Sequence, residues 1–202
     1  SAFTSTGVTL GSSAETNENN EPLVAWNWKA NGAGSANTDG SINSTVSANT
    51  TSGFSIVKFT GTGANATVGH GLGVAPKMII LKSLGSNNWS VYHGSLGGTK
   101  AMFLDLTSPA ATHIDYWNNT DATSSVFSIG TSSNMNHSGT DMIAYCFANV
   151  QGFSKMSSYT GNNNADGPFI YTGFKPSFLL VRNIEIATEY WYMFDNKRLG
   201  YN

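Results

Sequence analysis

The sequence predicts an all-β fold, and three observations carry that expectation. Charged residues make up only 11% of the chain, against about 25% in globular proteins generally, while Gly reaches 22 residues and Asn, Ser and Thr recur throughout. Such side chains compete for backbone hydrogen bonds and so favour turns over helix interiors. The apolar segments are short, rich in β-branched and aromatic residues, and bounded by turn formers. No window sustains a 3.6-residue apolar period with caps at both ends.

In chain order the expected strands are LVAWNWKA (23–30), GFSIVKFTG (53–61), PKMIILKS (76–83), WSVYH (89–93), KAMFLDLT (100–107), VFSIG (126–130), MIAYCFAN (142–149) and PSFLLVR (176–182). The first is the most telling. Val24, Trp26 and Trp28 alternate with Leu23 and Ala25, giving a strand apolar on both faces, as in the middle of a sheet that faces a second layer.

The segment GLGVAPKMIILK (71–82) raises the question of a phosphate loop. It contains neither GxxxxGK nor GxGxxG, and no helix pattern follows it, so its glycines and Pro76 read as a turn launching a strand.

A net charge of −2 and a pI near 6.0 supply no basic patch for nucleic acid or an anionic membrane. No apolar run approaches the roughly 18 residues of a membrane helix, and no basic-then-apolar signal segment is visible. Cys146 is the single cysteine, so no internal disulfide is available, and it reads as a buried, inert thiol.

The chain repeats itself. VTLGSSAETNENNEPLVAWNW from Val8 aligns without a gap on FSIGTSSNMNHSGTDMIAYCF from Phe127, at an offset of 119. Ile143, Tyr145 and Phe147 then answer Val24, Trp26 and Trp28, and Cys146 falls opposite Asn27. The first copy carries an additional polar excursion (31–52) where the second has only NVQ. GFSIVKFTGTG from Gly53 matches GFSKMSSYTGN from Gly152, GVAPKMIILK matches GFKPSFLLVR at an offset of 100, and NNWSVYHGS answers TEYWYMFDN with Trp89 on Trp191 and Tyr92 on Phe194, an offset of 102. The expected architecture is therefore a tandem duplicated antiparallel β-sandwich of jelly-roll type, residues 1–125 and 126–202. The second unit is incomplete, to be completed by further residues or by a neighbouring subunit.

These blocks together, VAWNWKANG, GFSIVKFTGTG, VGHGLGVAPKMIILK, NWSVYH, MIAYCFANVQGFSKMSSYTGN and YTGFKPSFLLV, resemble a recurrent region of tail-associated structural proteins of tailed bacteriophages, especially those of marine bacteria. The resemblance implies a part of tail fibres or similar appendages, localised to the virion and extracellular after release, and it brings no catalytic motif. A homo-oligomer, a trimer, follows as an expectation, with other virion tail proteins and a host cell-surface glycan as partners.

No enzymatic constellation is visible. His70, His93, His113 and His137 are scattered, without metal-ligand spacing, so no metal or cofactor is expected. HIDYWNNTD (113–121) lacks the spacing of a calcium loop and reads as a solvated turn. The acids give no pair that the sequence can place for glycoside hydrolysis. The aromatics Trp89, Tyr92, Tyr116, Trp117 and Trp191, with Tyr190, sit beside Asn- and Asp-rich turns and form the candidate glycan platform; core packing is the alternative. Tyr116 and Trp117 are adjacent, so on a strand only one could be fully core. The expected function is a non-enzymatic tail component, and the alternative is a carbohydrate-binding module of an adhesin or secreted glycan-active protein.

Overall fold

The computed structural model describes residues 2–23 and 25–197. In chain order its strands are β1 (Ala2–Phe3), β2 (Val8–Thr9), β3 (Ser35–Asn37), β4 (Ser44–Asn49), β5 (Phe54–Thr60), β6 (Ala66–Gly69), β7 (Met78–Ser83), β8 (Ser90–His93), β9 (Lys100–Phe103), β10 (Ala111–Thr112), β11 (Val126–Ile129), β12 (Asp141–Phe147), β13 (Phe178–Val181) and β14 (Tyr192–Asp195). One-turn helices interrupt them: α1 (Ala14–Asn17), α2 (Ile114–Trp117) and α3 (Ser133–Asn136). The fold is all-β, as the composition predicts. The chain divides into a small unit, formed by the described residues up to Trp28 with Lys197, and a large one, residues 29–196.

The large unit is built on an antiparallel eight-stranded sheet in the order β10-β9-β8-β7-β12-β5-β4-β3. β12 is central, pairing with β5 through Ala144↔Val57 and with β7 through Ala144↔Leu81. Its alternation decides its faces: Met142, Ala144 and Cys146 are fully buried, while Ile143, Tyr145 and Phe147 are half-buried. Across the buried face lie the β6–β11 pair and helices α2 and α3, which contribute Val68, Phe127, Ile129, Trp117 and Met135 to one core with Ile79 and Leu81. This is the expected two-layer sandwich.

Several expectations change. Residues 23–30 carry no strand among those described, and Val24 lies outside the described residues. The polar excursion, passed over in the sequence, forms β3 and β4, which extend the sheet beyond β5. Its inward residues are small, Ser44 and Val46, so hydrophobicity gives no warning of the strand. HIDYWNNTD is no solvated turn, because Tyr116 and Trp117 are both buried. They lie on a helical turn, where successive side chains are about 100° apart and can enter one core together. The division at 125/126 fails as well: β11 pairs with β6, and β12 enters the sheet of the preceding strands, so both halves build one unit.

The repeat nonetheless survives as geometry. β7–β8 pairs Met78↔His93 through Leu81↔Ser90, and β13–β14 pairs Phe178↔Asp195 through Val181↔Tyr192, so the two hairpins share one register at the sequence offsets. Gly94 N–H donates to the Lys77 carbonyl at 2.8 Å, and its counterpart Asn196 donates to Ser177 at 3.1 Å. Gly73 and Gly173 both take φ > 0, at 73° and 83°. Helices α1 and α3 coincide at offset 119, and each is closed by an Asn side chain: Asn17 Nδ2 donates to Gly11 O at 2.9 Å, and Asn136 Nδ2 to Gly130 O at 3.0 Å. Asn20 and Gly139, in register after them, are both left-handed.

Candidate functional site

The candidate aromatics separate into two groups. Tyr92, Tyr116 and Trp117 belong to the core. Tyr92 packs edge-on against Trp117 at 5.5 Å between ring centres, and Phe103 against Tyr116 at 5.5 Å. Burial pushes the Tyr92 hydroxyl above its ordinary pKa, and its oxygen accepts the Ala122 N–H at 3.4 Å. Asn134 Nδ2 donates to the Tyr116 hydroxyl at 2.7 Å, tying α3 to α2. The helical turn and the inward face of β8 place these three in the core.

Trp89 and Trp191 remain half-exposed, and they occupy equivalent places in the two hairpins. Trp89 stacks on Tyr145 of β12, with ring centres 6.5 Å apart and planes 15° from parallel. Lys82 Nζ lies 6.0 Å from the Trp89 ring centre, held by the carbonyls of Ser83, Gly85 and Asn87 at 2.8, 3.0 and 2.6 Å. In the second hairpin, the Arg182 guanidinium carbon lies 5.6 Å from the Trp191 ring centre. Arg182 Nη1 and Trp191 Nε1 both donate to the Phe103 carbonyl, at 2.6 and 2.8 Å, and Arg182 Nη2 donates to the Ser108 carbonyl. Each half of the repeat thus carries a cation over a Trp face. Lys82 and Arg182 were missed in the sequence, although their alignment at offset 100 was the signal that could have found them. Tyr190 is exposed and has no counterpart of this kind.

The remaining polar candidates have structural partners. His70 is buried, its Nε2 against the Thr123 carbonyl at 3.1 Å and its Nδ1 accepting the Leu72 N–H at 3.2 Å. That pattern fixes the neutral tautomer with the proton on Nε2, and burial holds its pKa below the ordinary value. Asp121 accepts the Gly98 N–H at 2.6 Å, so it braces the 97–98 turn. Among the described residues no group of three His, Cys, Asp or Glu is placed to hold a metal ion. Burial pushes the Cys146 thiol up to about 12, as expected for an inert thiol.

Residues 1–202 match the family described as Domain of unknown function (DUF7483), and the chain belongs to that family. No curated protein and no solved structure matches it.

Proposed function

We propose that this member of the family is a non-enzymatic structural component of a tailed-phage virion, a segment of a tail fibre or other tail appendage, built from a repeated β-unit and assembling with copies of itself and with other tail proteins. The observation that supports this reading most is the second hairpin, β13–β14, which reproduces β7–β8 in register, launching turn and cation-over-Trp pair. Repetition of one packing unit is how extended structural chains are made, because each unit presents to its neighbour the surface the previous unit presented to it. The low charge and the use of Tyr92, Tyr116 and Trp117 as core agree with a scaffold rather than a catalyst.

Light scattering on the intact chain tests the assembly: a mass that is a multiple of 21.4 kDa is expected, and a monomer at every concentration contradicts it. The glycan-binding reading now rests on Trp89 and Trp191 alone. On a host-glycan array, parent-like binding by Trp89→Ala and Trp191→Ala proteins removes it.

A further inference from the structure

We propose that Asn31 is a site of self-modification: its side-chain amide is lost through a cyclic imide formed with the Gly32 nitrogen, leaving aspartate and isoaspartate at the bend that enters β3. This chemistry is independent of assembly, and either can fail without the other.

Asn31–Gly32 is the one Asn-Gly step in the chain. Imide formation at such a step needs an unhindered nitrogen on the following residue, a side-chain amide free to fold back onto it, and access for water. Glycine supplies the first, because it has no Cβ to block the approach, and the position where Gly32 would carry one is open space. Gly32 and Ala33 form a turn, with Gly32 left-handed at φ 71°. Asn31 and Gly32 are both exposed, and among the described residues neither the Asn31 side chain nor the Gly32 N–H holds a hydrogen bond. The flanks are held instead. Ser47 Oγ accepts the Asn31 N–H at 2.9 Å and donates to the Gly32 carbonyl at 2.8 Å, and Asn49 Nδ2 donates to the Lys29 carbonyl at 3.1 Å. The bend is thus tied to β4 on both sides and left free at the two atoms that join.

The Gly32 nitrogen attacks Asn31 Cγ and forms a C–N bond. The side-chain nitrogen leaves as ammonia, carrying off the proton that the Gly32 nitrogen gives up. Water then opens the five-membered imide at either carbonyl. Opening at the side-chain carbonyl gives aspartate, and opening at the main-chain carbonyl gives isoaspartate. Each converted chain gains one negative charge, taking its formal net charge from −2 to −3. Isoaspartate also routes the main chain through Cγ, which lengthens the path between the two atoms that Ser47 bridges.

The surroundings separate this step from comparable ones. At Asp39–Gly40 a Cβ on the glycine would fall 2.4 Å from the Thr67 carbonyl oxygen, and Asn37 Nδ2 donates to the Asp39 carboxylate at 2.8 Å, so neither residue is free to fold onto the other. Asp166–Gly167 is open, but a carboxylate resists attack by a nitrogen far more than an amide does. Asn136 is fully buried, and its amide is bonded to the Ala64 and Gly130 carbonyls at 2.6 and 3.0 Å.

The test incubates the full, folded chain at pH 8 and samples it over days, with circular dichroism to show that it stays folded. Tryptic peptides are sequenced by mass spectrometry, and an isoaspartyl methyltransferase assay detects the branched product. Asn31 is expected to be the first asparagine to gain the mass of OH in place of NH2, with both products present, while an acidic form one charge away grows in on ion exchange. Asn31→Gln, whose longer side chain would have to close a six-membered ring, is expected to lose that acidic form. An Asn31 that stays unchanged in the folded chain overturns the proposal, whether or not it converts once the chain is unfolded in urea. Earlier conversion of any other asparagine overturns it too, as does an acidic form that persists in Asn31→Gln.

Discussion

Asn136 shows how much one side chain can hold. It is fully buried, accepts the Thr62 N–H at 2.7 Å, and donates to the carbonyls of Ala64 and Gly130 at 2.6 and 3.0 Å. Asn136→Ala leaves all three partners unmatched inside the protein, at about 1–3 kcal/mol for each orphaned group, so a loss of about 3 kcal/mol or more is expected in urea unfolding. Its repeat partner Asn17 is exposed, and Asn17→Ala is expected to change stability by less than about 1 kcal/mol in the same measurement. Cys146, with its thiol pushed up to about 12 and no exposure, is expected to react with an aromatic disulfide reagent only at the rate of unfolding. His70 sets a pH dependence. Burial lowers its folded pKa below the ordinary 6.5, an effect partly offset by the Thr123 carbonyl and the charge of Asp39. The unfolded chain therefore binds more protons just below pH 6.5 than the folded one. Stability is fully present above that pH and falls as acid is added through the folded value. His93, lowered by burial, acts in the same direction. The urea midpoint is expected to drop between pH 8 and pH 5, with a smaller drop in His70→Gln.

At the scale of elements, the same glycine has two fates. Gly130 ends β11 where its N–H donates to the Tyr116 carbonyl at 2.5 Å, and a Cβ there would sit on the Asp115 carbonyl. Its repeat partner Gly11 has open space around it. Gly130→Ala is therefore expected to lower the melting temperature by several degrees or prevent folding, while Gly11→Ala leaves it nearly unchanged; thermal unfolding of the two variants separates them. Seven of the eight strands expected from the sequence are found, because each pairs an alternating apolar pattern with flanking turn residues. The eighth, 23–30, has as good a pattern as β12 but carries no strand among the described residues. β3 and β4 stayed hidden because their small polar residues look like loop, and pairing with β5 makes them strands. α2 was misread because two adjacent buried aromatics have no place on one strand, while one helical turn accommodates both. Of the candidate site, Trp89 and Trp191 were legible as exposed aromatics beside turns. The cations over their rings became evident only once the hairpins brought Lys82 and Arg182 alongside.

On the scale of the whole molecule, the duplication seen in the sequence does not produce two independent sandwiches. It produces one core, residues 29–196, in which strands from both copies interleave and which also holds the repeated hairpin β13–β14. Apolar side chains such as Leu23, Phe153 and Leu179 lie at the surface, whereas their repeat counterparts Met142, Phe54 and Ile79 are buried. Exposed apolar residues in positions that the other copy buries are the mark of a surface meant to be covered. The account therefore stands or falls on association. Its most direct test is the mass of the chain in solution by light scattering across a dilution series. The prediction is a multiple of 21.4 kDa, two chains or more. A chain that keeps the single-chain mass at every concentration contradicts it.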